Sequence, residues 1–133
     1  SSSAASDVYK RQVLDYAGAF NPLYLIRSGS LKEIVAEKVS IGRSSVDTQI
    51  SFTNHSIPIQ QGDVIYIFSD GYADQFGGEK MKKFKYGNMK ELFLRIHHKE
   101  MDEQKAILNS TIEAWRGDIA QVDDMLVIGR RFN

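Results

Sequence analysis

Between Val64 and Phe68 five apolar residues, VIYIF, follow one another without a polar break, and the run stops at Ser69-Asp70-Gly71. A strand that is apolar on both faces must be covered on both. This stretch therefore reads as the central strand of a layered domain, although periodicity alone leaves a short buried helix open. It is the longest uninterrupted apolar run in the chain, and it falls far short of the ~20 residues that a membrane helix needs. The cover has to come from the rest of the sequence. With 133 residues, 42% hydrophobic and 11% aromatic, the chain is one domain or part of one, and it can bury roughly two-thirds of its unfolded surface.

The opening SSSAASDVYKRQ has a period of neither 2 nor 3.6. Residues 1–12 are expected to be a disordered tail or a remnant of cloning, and residues 13–133 to carry the fold. From Val13 short strands follow in the manner of a β-meander: VLDYA, then LYLIR after the Asn21-Pro22 break, then LKEIVAEKV after Ser28-Gly29-Ser30. QISFTNHSI reads as one further strand that ends at Pro58. Beyond a glycine- and lysine-rich loop the period changes. Met89, Leu92, Phe93 and Ile96 fall at i, i+3, i+4 and i+7, which predicts an amphipathic helix with Asn88 as N-cap and Glu91 as its partner. A second helix is expected from Asp102 as N-cap to Trp115, with a stripe of Leu108, Ile112 and Trp115 and with Gly117 in a left-handed cap. MLVIGRRF supplies a closing strand, again apolar on both faces. Strands first, helices in a later block and a final strand predict an α+β fold with helices over one sheet face.

Lys and Arg number 17 and so do Asp and Glu, so the chain has no global field to recruit nucleic acid or an anionic membrane. No cysteine is present. That excludes disulfides, thiolate metal sites and cysteine nucleophiles, and it fits a reducing, cytoplasmic setting. Nothing near the N-terminus resembles a cationic and then apolar secretory signal.

The chemistry is sought where buried strands end in acids. Asp70 closes the Val64 run, and Gly71 lets the backbone turn sharply beside whatever the carboxylate holds. Asp123 and Asp124 open the last strand. Carboxylates brought close together need a cation to neutralise them, and oxygen-only ligands suit magnesium and manganese. The plainer reading is an Asp-Gly turn and a solvated acidic loop.

The segments LDYAGAFNPLYLIR, GDVIYIFSDGYADQFGG and WRGDIAQVDDMLVIG, in this order, resemble the bacterial PPM-type (protein phosphatase 2C-like) serine/threonine phosphatases of the stage II sporulation protein E class. SDG closing an apolar strand, DQFGG behind it and DD opening the final strand about 50 residues later form a joint pattern that isolated Asp-Gly pairs do not. The resemblance implies an αββα sandwich with a binuclear manganese or magnesium centre. It also implies that a metal-bound water attacks a phosphoserine or phosphothreonine, with no phosphoenzyme. Matched position by position, it makes Asp70 and Asp123 the catalytic metal ligands, with Asp124 as a substitute, Gly71 serving backbone geometry, and Asp74 and Gln75 standing behind the ligands. It further implies a phosphoprotein substrate such as an anti-sigma-factor antagonist, and a longer protein with an N-terminal sensor, which a membrane could anchor.

The sequence departs from that pattern in two places. The family's earlier Asp-Gly, which bridges both metals, has no counterpart, because Asp70-Gly71 is the only such pair and Asp7, Asp15 and Asp47 stand in other contexts. The chain is therefore expected to be the C-terminal part of a phosphatase domain, with at most one weak metal site, little turnover, and edges that favour self-association. Phe20 stands where a polar residue is usual before Asn-Pro. The rival readings are a noncatalytic regulatory module on the same scaffold and a calcium-binding β-rich domain. An EF-hand is rejected, because DGYADQFGG lacks the alternating acids.

Weaker signals receive plain readings. The basic run Glu79 to Lys85 could steer a phosphoprotein but reads first as a solvated loop. His97, His98 and Glu100 form an exposed helix end rather than a zinc site. His55 has no assigned role, and Trp115 belongs to the core.

Overall fold

The computed structural model describes residues 14–16, 22–34, 39–43, 48–52 and 55–133, the side chains among them over 22–34 and 58–133. The expected tail, the Ala17-to-Asn21 part of the AGAFNP segment with Phe20, and Asp7 and Asp47 lie outside the described residues. In chain order the elements are β1 (Leu14–Tyr16), β2 (Leu23–Arg27), β3 (Ser30–Ile34), β4 (Val39–Arg43), β5 (Thr48–Phe52), β6 (His55–Pro58), β7 (Val64–Phe68), α1 (Gly71–Asp74), β8 (Phe76–Gly77), β9 (Lys82–Lys83), α2 (Tyr86–Ile96), α3 (Met101–Arg116) and β10 (Val127–Arg131). They make two four-stranded antiparallel sheets, ordered β1-β4-β5-β6 and β10-β7-β2-β3, and a two-stranded β8-β9 hairpin. The expected α+β class, with antiparallel strands and two main helices, is what the chain adopts.

β7 is an inner strand, buried at all five positions, as its sequence requires. Alternation divides it: Val64, Tyr66 and Phe68 join Tyr24 and Ile26 under the helices, while Ile65 and Ile67 join Leu23, Leu25, Ile34 and Phe132 on the opposite face. Excluding each such side chain from water stabilises the fold by about 1.5–3 kcal/mol. The predicted α2 stripe is buried in full. Phe93 from that stripe stacks on Tyr66 at 3.9 Å between centroids and meets Tyr24 edge-on at 6.0 Å. On α3 Ile112 is buried, and Leu108 and Trp115 pack half-buried against the same core.

Several element boundaries differ from the sequence reading. LKEIVAEKV is two strands in different sheets: β3 turns back on β2 through Ser28 and Gly29, both at positive φ (53° and 77°), and ends where Ile34 meets Leu23. β4 instead pairs with β1 and β5. The meander is thus broken, and β7, far along the chain, fills the place beside β2. QISFTNHSI likewise divides into the β5-β6 hairpin. α2 begins at Tyr86 after Lys85 rather than at Asn88. Asn88 lies within the first turn and donates from Nδ2 to the Phe84 carbonyl at 2.7 Å. α3 begins at Met101, which puts Asp102 in its first turn, where an acid complements the helix dipole without capping it. Gly117 does follow the last helical residue at positive φ (54°). β10 is an edge strand of half-buried residues rather than one covered on both faces.

Candidate metal centre

β10 runs antiparallel to β7, with Val127 opposite Phe68. The end of β7 and the beginning of β10 must therefore lie side by side. Ser69 extends the pairing: its N–H donates to the Leu126 carbonyl at 2.9 Å, its Oγ accepts the Leu126 N–H at 2.9 Å, and the same Oγ donates to the Asp124 carbonyl at 2.9 Å. Beyond Ser69 the two segments press together. A Cβ on Gly71 would lie 2.1 Å from the Asp124 carbonyl oxygen and 3.3 Å from that of Asp123. Only glycine permits this approach, so the geometric role expected for Gly71 has a concrete cause.

Asp70 stands at the N-cap of α1 and makes no side-chain cap bond there. Its carbonyl accepts the Asp74 N–H at 2.9 Å. Its carboxylate instead turns to the start of α2, where the Tyr86 hydroxyl donates to Oδ1 at 2.5 Å. Burial first, and then this hydrogen bond and the charges of Asp70 and Asp74, hold the Tyr86 hydroxyl in its protonated form well above the usual tyrosine range. Asp123 and Asp124 are exposed. Asp123 Oδ1 accepts the Asp124 N–H at 2.8 Å, and the Asp123 carbonyl accepts from Gln121 Nε2 at 3.0 Å. These local bonds shape the acidic loop into a tight turn.

The two residues expected behind the ligands differ in kind. Asp74 is half-buried and pairs with Lys83 at 3.6 Å. Gln75 is fully buried: its Nε2 donates to the Phe76 carbonyl at 3.0 Å and to the Ala120 carbonyl at 3.1 Å, and its backbone carbonyl accepts Trp115 Nε1 at 2.9 Å. Gln75 thus ties α1 to both the end of α3 and the segment leading into Asp123. Arg116 helps from the other side, donating to the Ile119 carbonyl at 3.0 Å.

The donors fit a divalent cation in kind, since carboxylate oxygens are the ligands that hard ions prefer. Among the described residues no three His, Asp or Glu side chains converge on a metal-sized point. His97 and His98 lie far along the chain at the end of α2, where the His97 carbonyl accepts Gln104 Nε2 at 3.1 Å. Of the pair expected to be exposed, His98 is, whereas His97 at the C-cap of α2 is half-buried.

A family model described as Stage II sporulation protein E (SpoIIE) matches residues 7–133. The chain belongs to the stage II sporulation protein E family. Two solved structures share its fold. The SiaA-PP2C domain of Pseudomonas aeruginosa superposes with a TM-score of 0.66 at 22% identity, over 84% of this chain and 43% of its own. The phosphatase domain of the cell fate determinant SpoIIE from Bacillus subtilis, presoaked with Mn, does so with a TM-score of 0.57 at 16% identity, over 97% of this chain and 59% of its own. The chain thus spans about half the length of these structures. No curated protein matches it in sequence. Within the SpoIIE pattern, sequence reasoning used Ser69 only as part of the SDG motif and passed over Tyr86. A hydroxyl placed directly beyond a buried strand, able to bridge to its antiparallel neighbour, was the available signal for Ser69. Nothing in KYGN points to Tyr86.

Proposed function

We propose that the chain forms the Asp70–Asp123 side of a manganese- or magnesium-dependent protein serine/threonine phosphatase site that hydrolyses phosphoserine and phosphothreonine. The observation that supports this reading is the contact of Gly71 with the Asp123–Asp124 backbone, which sets the chain just after Asp70 against the loop that carries Asp123, 53 positions further on. Asp70 and Asp123 would hold the cation, with Asp124 able to substitute. A bound pair of such ions supplies an acidified water and a clamp on phosphoryl oxygens. The residues of this chain orient the ligands: Tyr86 directs Asp70, Ser69 fixes the acidic loop, and Gln75 anchors the segment before it. No serine, cysteine or histidine nucleophile is required.

The sequence holds a single Asp-Gly pair, so the bridging carboxylate of the family is not among these residues and turnover by this chain alone is expected to be slight. The substrate class is a phosphoprotein, with an anti-sigma-factor antagonist as the leading instance, in a cytoplasmic setting. No described helix is long and apolar enough to cross a membrane. Strand edges such as β3 and β10 favour self-association.

Manganese titrated calorimetrically into the protein and into Asp70→Asn tests the reading. Heat of binding that Asp70→Asn abolishes is expected. Equal heats in both would overturn it, and no heat in either would leave the scaffold as a noncatalytic binding module.

A further inference from the structure

We propose that the β8-β9 hairpin docks acidic residues that flank the phosphorylated side chain of a protein substrate. The proposal deepens the phosphatase reading and rests on it for the place where the phosphate itself would go.

The hairpin is attached to the candidate site. Its returning arm bonds to α1 and to the residue after it: the Phe84 N–H donates to the Gln75 carbonyl at 2.9 Å and the Lys85 N–H to the Ala73 carbonyl at 2.8 Å. α1 is the short helix that Asp70 opens. On the other side the hairpin is fixed against Trp115, whose carbonyl oxygen lies 2.0 Å from where a Cβ on Gly77 would stand and whose ring lies 2.9 Å from where one on Gly78 would stand. The two backbone bonds hold the base of the hairpin at the far end of α1, the single helical turn that Asp70 opens.

Its surface chemistry is one-sided. From Glu79 to Lys85 there are four lysines and one glutamate, in a chain whose total charge is balanced. All four lysines are exposed. Only Lys83 has a carboxylate partner among the described residues, namely Asp74 at 3.6 Å across solvent. Lys80, Lys82 and Lys85 are left to face the water. Phe76 (40% exposed) and Met81 (56% exposed) stand on the same hairpin and add apolar purchase beside the charges. A patch of ammonium groups next to a phosphate site fits an extended peptide that carries carboxylates on either side of its phosphorylated residue. The clustered charge raises the local concentration of such a peptide and rejects basic flanks.

Fluorescence anisotropy with labelled phosphoserine peptides tests this without turnover or metal. One peptide has glutamates around the phosphoserine and one has lysines. They are titrated with the full chain, with Lys82→Glu/Lys83→Glu, and with Lys32→Glu/Lys105→Glu, a distant reversal of equal charge at exposed positions. The full chain should bind the acidic peptide at least about tenfold more tightly than the basic one, the order of effect expected for two or three exposed charge contacts. The hairpin reversal should erase that preference, and the distant reversal should keep it. Equal loss in both variants, or no preference in the unaltered chain, would overturn the proposal. So would a single-stranded oligonucleotide that binds through the same lysines more tightly than the acidic peptide. Manganese calorimetry on the same proteins reports separately whether the phosphatase reading stands.

Discussion

Gly71 carries more of the candidate site than either acid beside it, because its missing side chain is what lets the β7 end and the Asp123–Asp124 loop touch. A methyl group at this position would sit 2.1 Å from a backbone oxygen, and backbone cannot step aside as a flexible side chain can. Gly71→Ala is expected to destabilise the fold by about 2–4 kcal/mol, from overpacking together with loss of the Ser69 bonds to the displaced loop. Gly87, in the first turn of α2, has nothing within 4 Å of its added Cβ and does not have positive φ. Gly87→Ala should therefore stabilise by about 0.5–1 kcal/mol through helix propensity. Urea denaturation of the two variants checks both signs, and a Gly71→Ala protein no less stable than the parent would refute the contact. At this scale the sharp turn at Asp70-Gly71 was legible, since a glycine that ends an all-apolar strand marks a place where the backbone bends and can be approached closely. Tyr86 was not, because a hydroxyl reaching back 16 positions to Asp70 leaves no trace in local pattern.

Among the elements, β7 and the α2 stripe were readable because each carries its periodicity within itself. The division of LKEIVAEKV was not, because β3 and β4 differ in partners rather than in residues, and only the sheet order separates them. The helix starts were misread for a related reason: Asn88 and Asp102 are good capping residues, yet tertiary bonds set the first turns elsewhere. One such bond network joins α2, α3 and β7. Gln104, on α3 and 2% exposed, accepts the Tyr66 hydroxyl on Oε1 at 2.6 Å and donates from Nε2 to the carbonyls of His97 at 3.1 Å and Lys99 at 2.8 Å. Arg131 of β10 donates to the same two carbonyls. Gln104→Ala would orphan the Tyr66 hydroxyl while Arg131 still served the carbonyls, so a loss of about 2–4 kcal/mol is expected. Tyr66→Phe in the Gln104→Ala background should then cost less than it does alone. A double-mutant cycle by thermal unfolding measures that coupling, and strict additivity would refute it.

For the molecule as a whole, the aromatic core sets how the fold meets alkali. Tyr24, Tyr66 and Tyr72 are all within 3% of full burial. Burial, reinforced by Glu33, pushes the Tyr24 hydroxyl up to about 12, and burial raises Tyr66 and Tyr72 further still. Their partners favour the protonated form: Tyr66 donates to Gln104, and Tyr72 donates to the Leu108 carbonyl at 2.7 Å. In the unfolded chain these hydroxyls lose their protons near pH 10. Below that pH both states hold the protons and stability is unaffected. Above it the unfolded state sheds protons that the folded state keeps, so stability falls as pH rises, by roughly 1.4 kcal/mol per pH unit for each tyrosine and about 4 kcal/mol per unit for the three together. A domain stable by 5–15 kcal/mol cannot absorb that over two units without approaching its midpoint. The chain should therefore hold its helical circular dichroism to about pH 10 and lose it cooperatively between about pH 11 and 12. Tyrosinate absorbance from the buried rings should rise in the same transition rather than before it. Ionisation of all the tyrosines near pH 10 with the helices intact would mean that the rings under α2 and α3 are wet, and that the core which positions the β7 end is not closed.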